Sequence, residues 1–366
     1  MKILQLTYAL EPGGAERFVV DLSNQLSENP TQEVILCSIV DDTDPTKRHY
    51  LPELSKRVRY VCLGCASGYA WDSPLKVLRF IQREKPDVVH AHCNATLFYL
   101  PSLLYRKCSY VYTLHSLANE CIGFKLEYSL NKVFLKRRIY SVTISDKCET
   151  SFKQIYPGLP VACIPNGRSP IKPTDRLSEV RAEIERLKNS SVDKVFINVA
   201  RYGEAKNHKM LFEAFDELTK TNSHLQLIVI GKGFEESSLW SYRKHPHIHI
   251  LGLKDNVGDY LLCADFFILS SLWEGLPISL LEAMSCGLIP VCTPAGGIPD
   301  VVTDGQTGFL SPSFQKVDFI RTIKRALVKE QMISREQIKK AYEARFSMKV
   351  CADKYVTVYK GLVGDR

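Results

Sequence analysis

Short apolar runs alternate along this chain with amphipathic helical patterns, and that alternation constrains the fold more than any other feature. Residues 3–6, 33–38, 58–62, 88–92, 109–114, 142–145 and 161–164 read as strands apolar enough to be buried on both faces. Between them lie helical patterns; residues 15–26 place Phe18, Val19, Leu22 and Leu26 on one face. Strands joined by helices rather than tight turns run parallel, so the pattern predicts a doubly wound α/β sheet. A charged stretch containing Pro173, residues 171–189, reads as a linker and a first helix. The alternation then resumes at 195–200, 225–230, 264–271 and 288–292. At 366 residues the chain accommodates two such domains, expected over 1–167 and 168–345.

Residues 273–284 carry the strongest functional signal. Seven residues separate Glu274 from Glu282, Gly275 and Pro277 among them. Pro277 lacks the amide that a helix start leaves unpaired, so a helix is expected over 277–286. The strand before it places this helix start at a strand's carboxyl end, where open α/β sheets bind ligands. Unpaired amides and the positive end of the helix dipole make a seat for phosphate there. At ~1.5 Å rise per helical residue the two carboxylates lie on the order of 10 Å apart. They are too distant to act on one bond, but they suit the two ends of an extended ligand such as a nucleotide sugar. The bland alternative is a surface helix with two solvated glutamates.

Other loops after strands add to this. Arg201 and Lys206 follow the strand at 195–200 and can neutralise a diphosphate. Gly231, Lys232 and Gly233 follow the strand at 225–230 without the third glycine of a dinucleotide fingerprint, which suits a nucleotide neighbour rather than nicotinamide chemistry. In the first half, Gly13 and Gly14 form a strand, glycine loop and helix unit able to present amides to a ligand. His115 closes the strand at 109–114, as a core histidine, a helix cap or a cleft residue.

At these residues the chain resembles the retaining family 4 glycosyltransferases of the GT-B fold, and the resemblance extends over nearly its whole length. It is carried by Glu274 and Glu282, by Gly296 and Gly297, by the run from Asp304 to Phe309, and by the strand followed by Arg201 and Lys206. The resemblance implies two Rossmann-like domains facing a central cleft. The acceptor side would be 1–167, with residues 346–366 crossing back onto it, and the donor side 168–345. It implies transfer of a sugar from a nucleoside diphosphate sugar to a hydroxyl, with retention of anomeric configuration. Glu274, His115, Arg201 and Lys206 would be catalytic. Gly13, Gly14, Gly231, Gly275, Leu276, Ile278, Ser279 and Glu282 would bind the donor, Glu282 at the ribose and Glu274 at a sugar hydroxyl. One departure stands out: the family usually has an acidic residue shortly after Asn166 and Gly167, and here Arg168, Ser169 and Pro170 follow. Alternatives on the same fold are a nucleotide-sugar 2-epimerase or hydrolase, for which only His115 offers acid–base chemistry, and a non-catalytic nucleotide-sugar-binding subunit.

Neither a metal nor a cofactor is expected. Asp41, Asp42 and Asp44 follow a strand and precede Pro45, as a solvated turn does. His90 and His92 share one strand face but lack further ligands, which points to a packed or cleft-edge role. The twelve cysteines show no repeated ligand spacing and are expected to be free thiols. A net charge of +8 is mild for this length. It suits an anionic small molecule or anionic lipid and gives little support to nucleic-acid binding. Residues 125–138 form an expected helix with Lys132, Lys136, Arg137 and Arg138 towards its end. That is either a solvated helix end or a patch for peripheral contact with an anionic membrane presenting a glycan or lipid-linked acceptor. No apolar run reaches the ~18 residues of a spanning helix, and the first residues do not read as a secretory signal. The expected location is therefore cytoplasmic, at most at the cytoplasmic face of the membrane.

Overall fold

A computed structural model describes residues 1–68, 72–92, 96–119 and 139–364. The chain forms two compact units, one of Met1–Ser169 with Phe346–Arg366 and the other of Pro170–Arg345. The first holds seven strands: β1 (Lys2–Thr7), β2 (Glu33–Val40), β3 (Arg59–Cys65), β4 (Val88–His92), β5 (Ser109–Leu114), β6 (Ile139–Thr143) and β7 (Val161–Cys163). They pair in the order β3-β2-β1-β4-β5-β6-β7, every pair parallel. The second holds β8 (Lys194–Val199), β9 (Leu225–Ile230), β10 (Ile248–Gly252), β11 (Phe266–Leu269), β12 (Ile289–Cys292) and β13 (Phe309–Leu310). Their order is β10-β9-β8-β11-β12-β13, again all parallel.

Each sheet starts at its middle, grows outward to one edge, then returns to grow towards the other. The order reverses between β1 and β4 in the first unit and between β8 and β11 in the second. Helices leaving the two strands at a reversal go to opposite faces, so their loops part and leave room for a ligand at the carboxyl ends. The strands are apolar because both faces are covered; all five residues of β4 and all six of β9 are buried. Strand β10 was not expected from the sequence, because His249 interrupts its apolar pattern, and β13 is only two residues long.

The C-terminal helix Met348–Gly364 packs in the first unit, burying Met348, Cys351, Ala352, Tyr355 and Tyr359. Gly167 permits its approach: a β-carbon there would lie 2.6 Å from that of Cys351 and 2.9 Å from the Met348 backbone. Backbone bonds from the Arg168 amide to the Phe346 carbonyl and from the Met348 amide to the Arg168 carbonyl fasten the same junction. Among the described residues no helix is long and apolar enough to cross a membrane. The described cysteines are free. The basic segment 125–138 falls outside the described residues.

Arg168, standing where the resembled family has an acid nearby, takes a structural role. Its Nη1 donates to Asp21 Oδ2 at 2.6 Å, and both side chains are 5% exposed. Asp21 lies on the helix Gly14–Leu26, so the pair ties the end of the first unit to the helix that follows its first loop. Arg168→Ala removes the nearer cation from a buried carboxylate that keeps Arg17 Nε at 3.7 Å from its Oδ1, and is expected to destabilise the first unit by about 2 kcal/mol. Replacing both partners with apolar residues, Asp21→Leu with Arg168→Met, should recover most of that loss. Calorimetric unfolding measures both, and equal melting of Arg168→Ala and wild type would show the pair to be structurally idle.

Candidate active site

In the second unit the loops after β8 and β11 meet at the reversal of strand order and are sewn together. The Leu272 amide donates to the Ala205 carbonyl at 2.7 Å, and Ser270 Oγ donates to the carbonyls of Lys206 (2.8 Å) and Asn207 (3.1 Å). Asn207 supports this turn with a left-handed backbone, φ 49°. The result places Lys206 Nζ 2.6 Å from Glu274 Oε1. Ser271 Oγ donates to the same oxygen, also at 2.6 Å. Glu274 is therefore a buried carboxylate held by a cation and a hydroxyl, and the two groups expected to meet different parts of a ligand are partners of each other. Glu274 and Lys206 are 68 residues apart in the chain, and nothing in their spacing announces the contact.

The loop after β12 underlies Glu274. Gly296 has φ 55°, and a β-carbon there would lie 1.8 Å from the Glu274 carbonyl oxygen. Both facts demand glycine. The Gly297 amide donates to the Gly275 carbonyl at 2.7 Å, and Thr293 Oγ1 donates to the Ser271 carbonyl at 2.6 Å. Ser271 and Thr293 are thus supporting residues that spacing alone did not single out, and Gly296, named among the residues of the resemblance, gains a packing reason.

The helix after Glu274 runs Ile278–Ser285, with Pro277 as its N-cap in extended conformation, so it starts one residue later and ends one residue earlier than the expected 277–286. No side chain caps this end. Leu276 and Ile278 bury their side chains in the core, so they offer only backbone to a ligand, while Ser279 and Glu282 are half-buried. Arg201 is exposed at the end of β8 and makes no ion pair among the described residues. Gly231 has a packing reason of its own: a β-carbon there would lie 2.0 Å from the Ala200 carbonyl oxygen, beside Arg201. Next to this group His208 is buried, its Nε2 bonded to Asn198 Oδ1 at 3.1 Å. Burial, with a smaller push from the Lys206 charge, lowers it to about 4, so it is neutral at pH 7.

In the first unit Gly13 caps the helix Gly14–Leu26 in extended conformation. Glu16, third in that helix, lays its carboxylate over the cap: a β-carbon on Gly13 would come 2.2 Å from Glu16 Oε2. From the same helix Phe18 packs edge-on to His115, ring centroids 5.3 Å apart. The glycine loop and His115, at the ends of β1 and β5, are thereby brought together. His115 is the last member of a buried polar chain. Its Nε2 lies 3.1 Å from His92 Nδ1, and His92 Nε2 lies 2.7 Å from Gln5 Oε1. Gln5 Nε2 reaches Tyr359 Oη at 3.4 Å, Tyr359 Oη meets His90 Nδ1 at 2.6 Å, and His90 Nε2 meets Thr113 Oγ1 at 2.7 Å. Burial lowers His115 to about 4 and holds His90 and His92 well below the ordinary histidine range, so all three are neutral at pH 7. His115 Nδ1 is buried and has no partner among the described residues.

Asp146, Glu149 and Cys163 are the one grouping among the described residues whose ligand atoms lie close enough together to hold a metal ion. The two acids stand in the first turn of the helix Asp146–Ile155, where the helix dipole favours them without any ion. Asp41 and Asp44 accept amide bonds from Thr43 and Thr46 in an exposed turn.

Comparison with known proteins matches two family models, Glycosyltransferase Family 4 over residues 12–170 and Glycosyl transferases group 1 over residues 180–345. Among curated relatives, the N-acetyl-alpha-D-glucosaminyl L-malate synthase of Bacillus anthracis is 25% identical over 79% of this chain and 78% of its own length. The UDP-Gal:alpha-D-GlcNAc-diphosphoundecaprenol alpha-1,3-galactosyltransferase of Escherichia coli is 28% identical over 65% of each chain. Of solved structures, HepE of Anabaena in complex with UDP and glucose superposes with a TM-score of 0.78 at 18% identity, over 99% of this chain and all of that one. The sucrose-phosphate synthase of Thermosynechococcus elongatus gives 0.81 at 16%, over the whole of both chains. These likenesses agree with two Rossmann-like domains of the GT-B kind.

The Lys206–Glu274 contact generates its own test. A double-mutant cycle of Lys206→Met and Glu274→Gln, read by thermal unfolding, is expected to show coupling of about 1–2 kcal/mol, with each single variant less stable than the pair predicts. Additive losses would mean that the two side chains do not hold each other in solution.

Proposed function

The chain belongs to the glycosyltransferases described by the family 4 and group 1 models, and from that premise we propose the following chemistry. It moves a sugar from a nucleoside diphosphate sugar to a hydroxyl of a lipid-linked glycan, retains the anomeric configuration and needs no metal. The observation that carries this reading is the convergence of Arg201, the Lys206–Glu274 pair and an uncapped helix end at the strand reversal of the second sheet. A departing nucleoside diphosphate gathers negative charge as the glycosidic bond breaks. Lys206, held beforehand by Glu274, together with Arg201 and the unpaired amides, stabilises that charge more than the intact donor, which is what lowers a barrier.

The ion pair assigns work to Glu274. Both of its bonds fall on Oε1, which holds Lys206 Nζ in place and leaves Oε2 to accept from a sugar hydroxyl. Glu282, half-buried inside the helix, accepts from the ribose. His115 meets a hydroxyl of the substrate. With protein cations neutralising the diphosphate, activity should persist in excess chelator. HepE was solved in complex with UDP, and the Escherichia coli relative is named for UDP-Gal, which makes uridine diphosphate sugars the first donors to screen by thermal shift.

The acceptor class is supported by relatives named for diphosphoundecaprenol-linked substrates, the Escherichia coli protein and a Campylobacter jejuni N-acetylgalactosaminyltransferase that is 27% identical over 41% of this chain. A peripheral protein reaching such an acceptor would use the basic segment around Lys136, Arg137 and Arg138.

Calorimetric nucleotide binding and steady-state transfer separate these roles. Arg201→Ala should lower kcat by about 100-fold with little loss of donor affinity. Glu282→Gln should weaken nucleotide binding, whereas Glu274→Gln should lower kcat and spare the affinity for sugar-free nucleotide. Equal weakening of that affinity by both glutamate variants would overturn this division, and an inverted product anomer would overturn retention. Independently, replacing Lys136, Arg137 and Arg138 by Gln should weaken binding to anionic vesicles by about 100-fold, each cation contributing ~1 kcal/mol, and leave donor binding intact. Equal vesicle binding by the variant would remove the membrane contact.

A further inference from the structure

We propose that Gln5, His92 and Tyr359 are positioning residues that keep the proton of His115 on Nε2, so that Nδ1 is a bare acceptor that takes a substrate hydroxyl and refuses a phosphate oxygen. The substrate half of this inference rests on the transferase reading; the tautomer half does not.

Bond lengths set the direction of the chain. Amide and imidazole N–H groups donate to oxygen at about 2.7–3.2 Å, and hydroxyl groups at about 2.5–3.0 Å. The His92 Nε2 to Gln5 Oε1 separation of 2.7 Å is an imidazole N–H donating to a carbonyl oxygen. The 3.4 Å contact between Gln5 Nε2 and Tyr359 Oη is long for either kind, but far nearer the N–H range than the O–H range. Tyr359 therefore accepts from Gln5 and donates its own proton to His90 Nδ1, and the 2.6 Å separation there suits an O–H donor. His90 then carries its proton on Nε2 and donates to Thr113 Oγ1 at 2.7 Å. The opposite direction requires a hydroxyl to donate across 3.4 Å and an amide to donate to an imidazole nitrogen at 2.7 Å. Neither length fits.

The consequence at the far end follows from counting protons. His92 donates from Nε2, and because the ring is neutral its Nδ1 is an acceptor. His115 Nε2 must then be the donor across the 3.1 Å contact. A neutral His115 that is protonated on Nε2 has a lone pair on Nδ1, the one buried nitrogen of the chain without a partner among the described residues. A lone pair attracts a hydroxyl proton and repels a phosphate oxygen. His115 is thereby assigned to a hydroxyl, and five side chains on β1, β4, β5 and the C-terminal helix make that assignment.

Two-bond 1H–15N correlation on the donor-free full chain at pH 7 reads the tautomer directly, with signals assigned by their loss in His115→Gln. Protonation of His115 and His92 on Nε2 is expected; a proton on His115 Nδ1 overturns the proposal. Gln5→Met removes the acceptor and should shift His115 towards the Nδ1 proton while lowering kcat by about 10-fold and changing donor KM less than twofold. Gln5→Glu, which still accepts from His92, should restore the wild-type tautomer. If Gln5→Met lowers kcat to that extent with the tautomer unmoved, Gln5 acts through packing alone and the positioning role is lost. Should Gln5→Met fail to fold, the wild-type spectrum still decides. The Nδ1 resonance should move when the nucleoside diphosphate sugar is added and stay when the sugar-free nucleotide is added; equal movement with both overturns the hydroxyl assignment. A wild-type chain with the expected tautomer that transfers sugar from no donor sinks the transferase reading and leaves the tautomer supported.

Discussion

Both units depend on one constraint, the right-handed crossover between parallel strands. Once β1 pairs with β2 on one side, β4 can join only on the other, and the helices feeding these two strands must lie on opposite faces. The loops at that junction diverge and leave room between them. Side chains placed there are surrounded by backbone ends and helix starts, which carry partial charges of fixed direction. The same holds between β8 and β11 in the second unit. Each of the two sheets therefore provides one place of this kind.

The units use these places in opposite electrostatic styles. The second keeps full charges: Arg201 exposed, and Lys206 paired with Glu274 in a setting where the carboxylate is nearly buried. A buried carboxylate with one hydroxyl partner would be costly, so the cation is needed for the fold as much as for any ligand. In the first unit three imidazoles, an amide, a threonine and two tyrosines share protons among themselves. Such a network is stabilising only if every member is satisfied, and here the unsatisfied atom lies at its open end. The two units thus hold their polar groups by different physics.

Much of this was legible from the residues because it is local. The strands announce themselves by short apolar runs, the helix start after Glu274 by Pro277, and the candidate loops by following strands. What the residues could not show is what depends on distant pairing. Lys206 and Glu274 looked like separate handles until the loops after β8 and β11 were seen to share three backbone-directed bonds. Arg168 looked like a departure from a pattern and proves to be the partner of Asp21, 147 residues away in sequence. His90 and His92 were visible as a period-two pair, but Gln5 and Tyr359 carry no local signal; they are 354 residues apart and meet only because the chain returns. Strand β10 was hidden for a different reason, since an edge strand need not be apolar on both faces.

That return ties the chemistry to the completion of the fold. The first unit is discontinuous, and without the helix Met348–Gly364 its sheet would present Gln5, His90 and Thr113 to a gap where Tyr355 and Tyr359 now sit. Each buried polar group left unpaired costs about 1–3 kcal/mol, comparable in sum with the whole stability of a small domain. The chain-entropy cost of bringing the helix back across the intervening unit grows only with the logarithm of its length, so the long excursion is a modest burden beside the bonds it completes. Tyr359 reaches His90 on β4 and Tyr355 reaches Thr113 on β5, the strand that His115 follows, and Tyr355 packs against Phe18, which also packs against His115. The ring is therefore oriented by a wall, and its proton placed by a chain, that both require the last helix of the protein. A first unit lacking that helix would lose the arrangement of His115 together with its stability, because the same residues supply both.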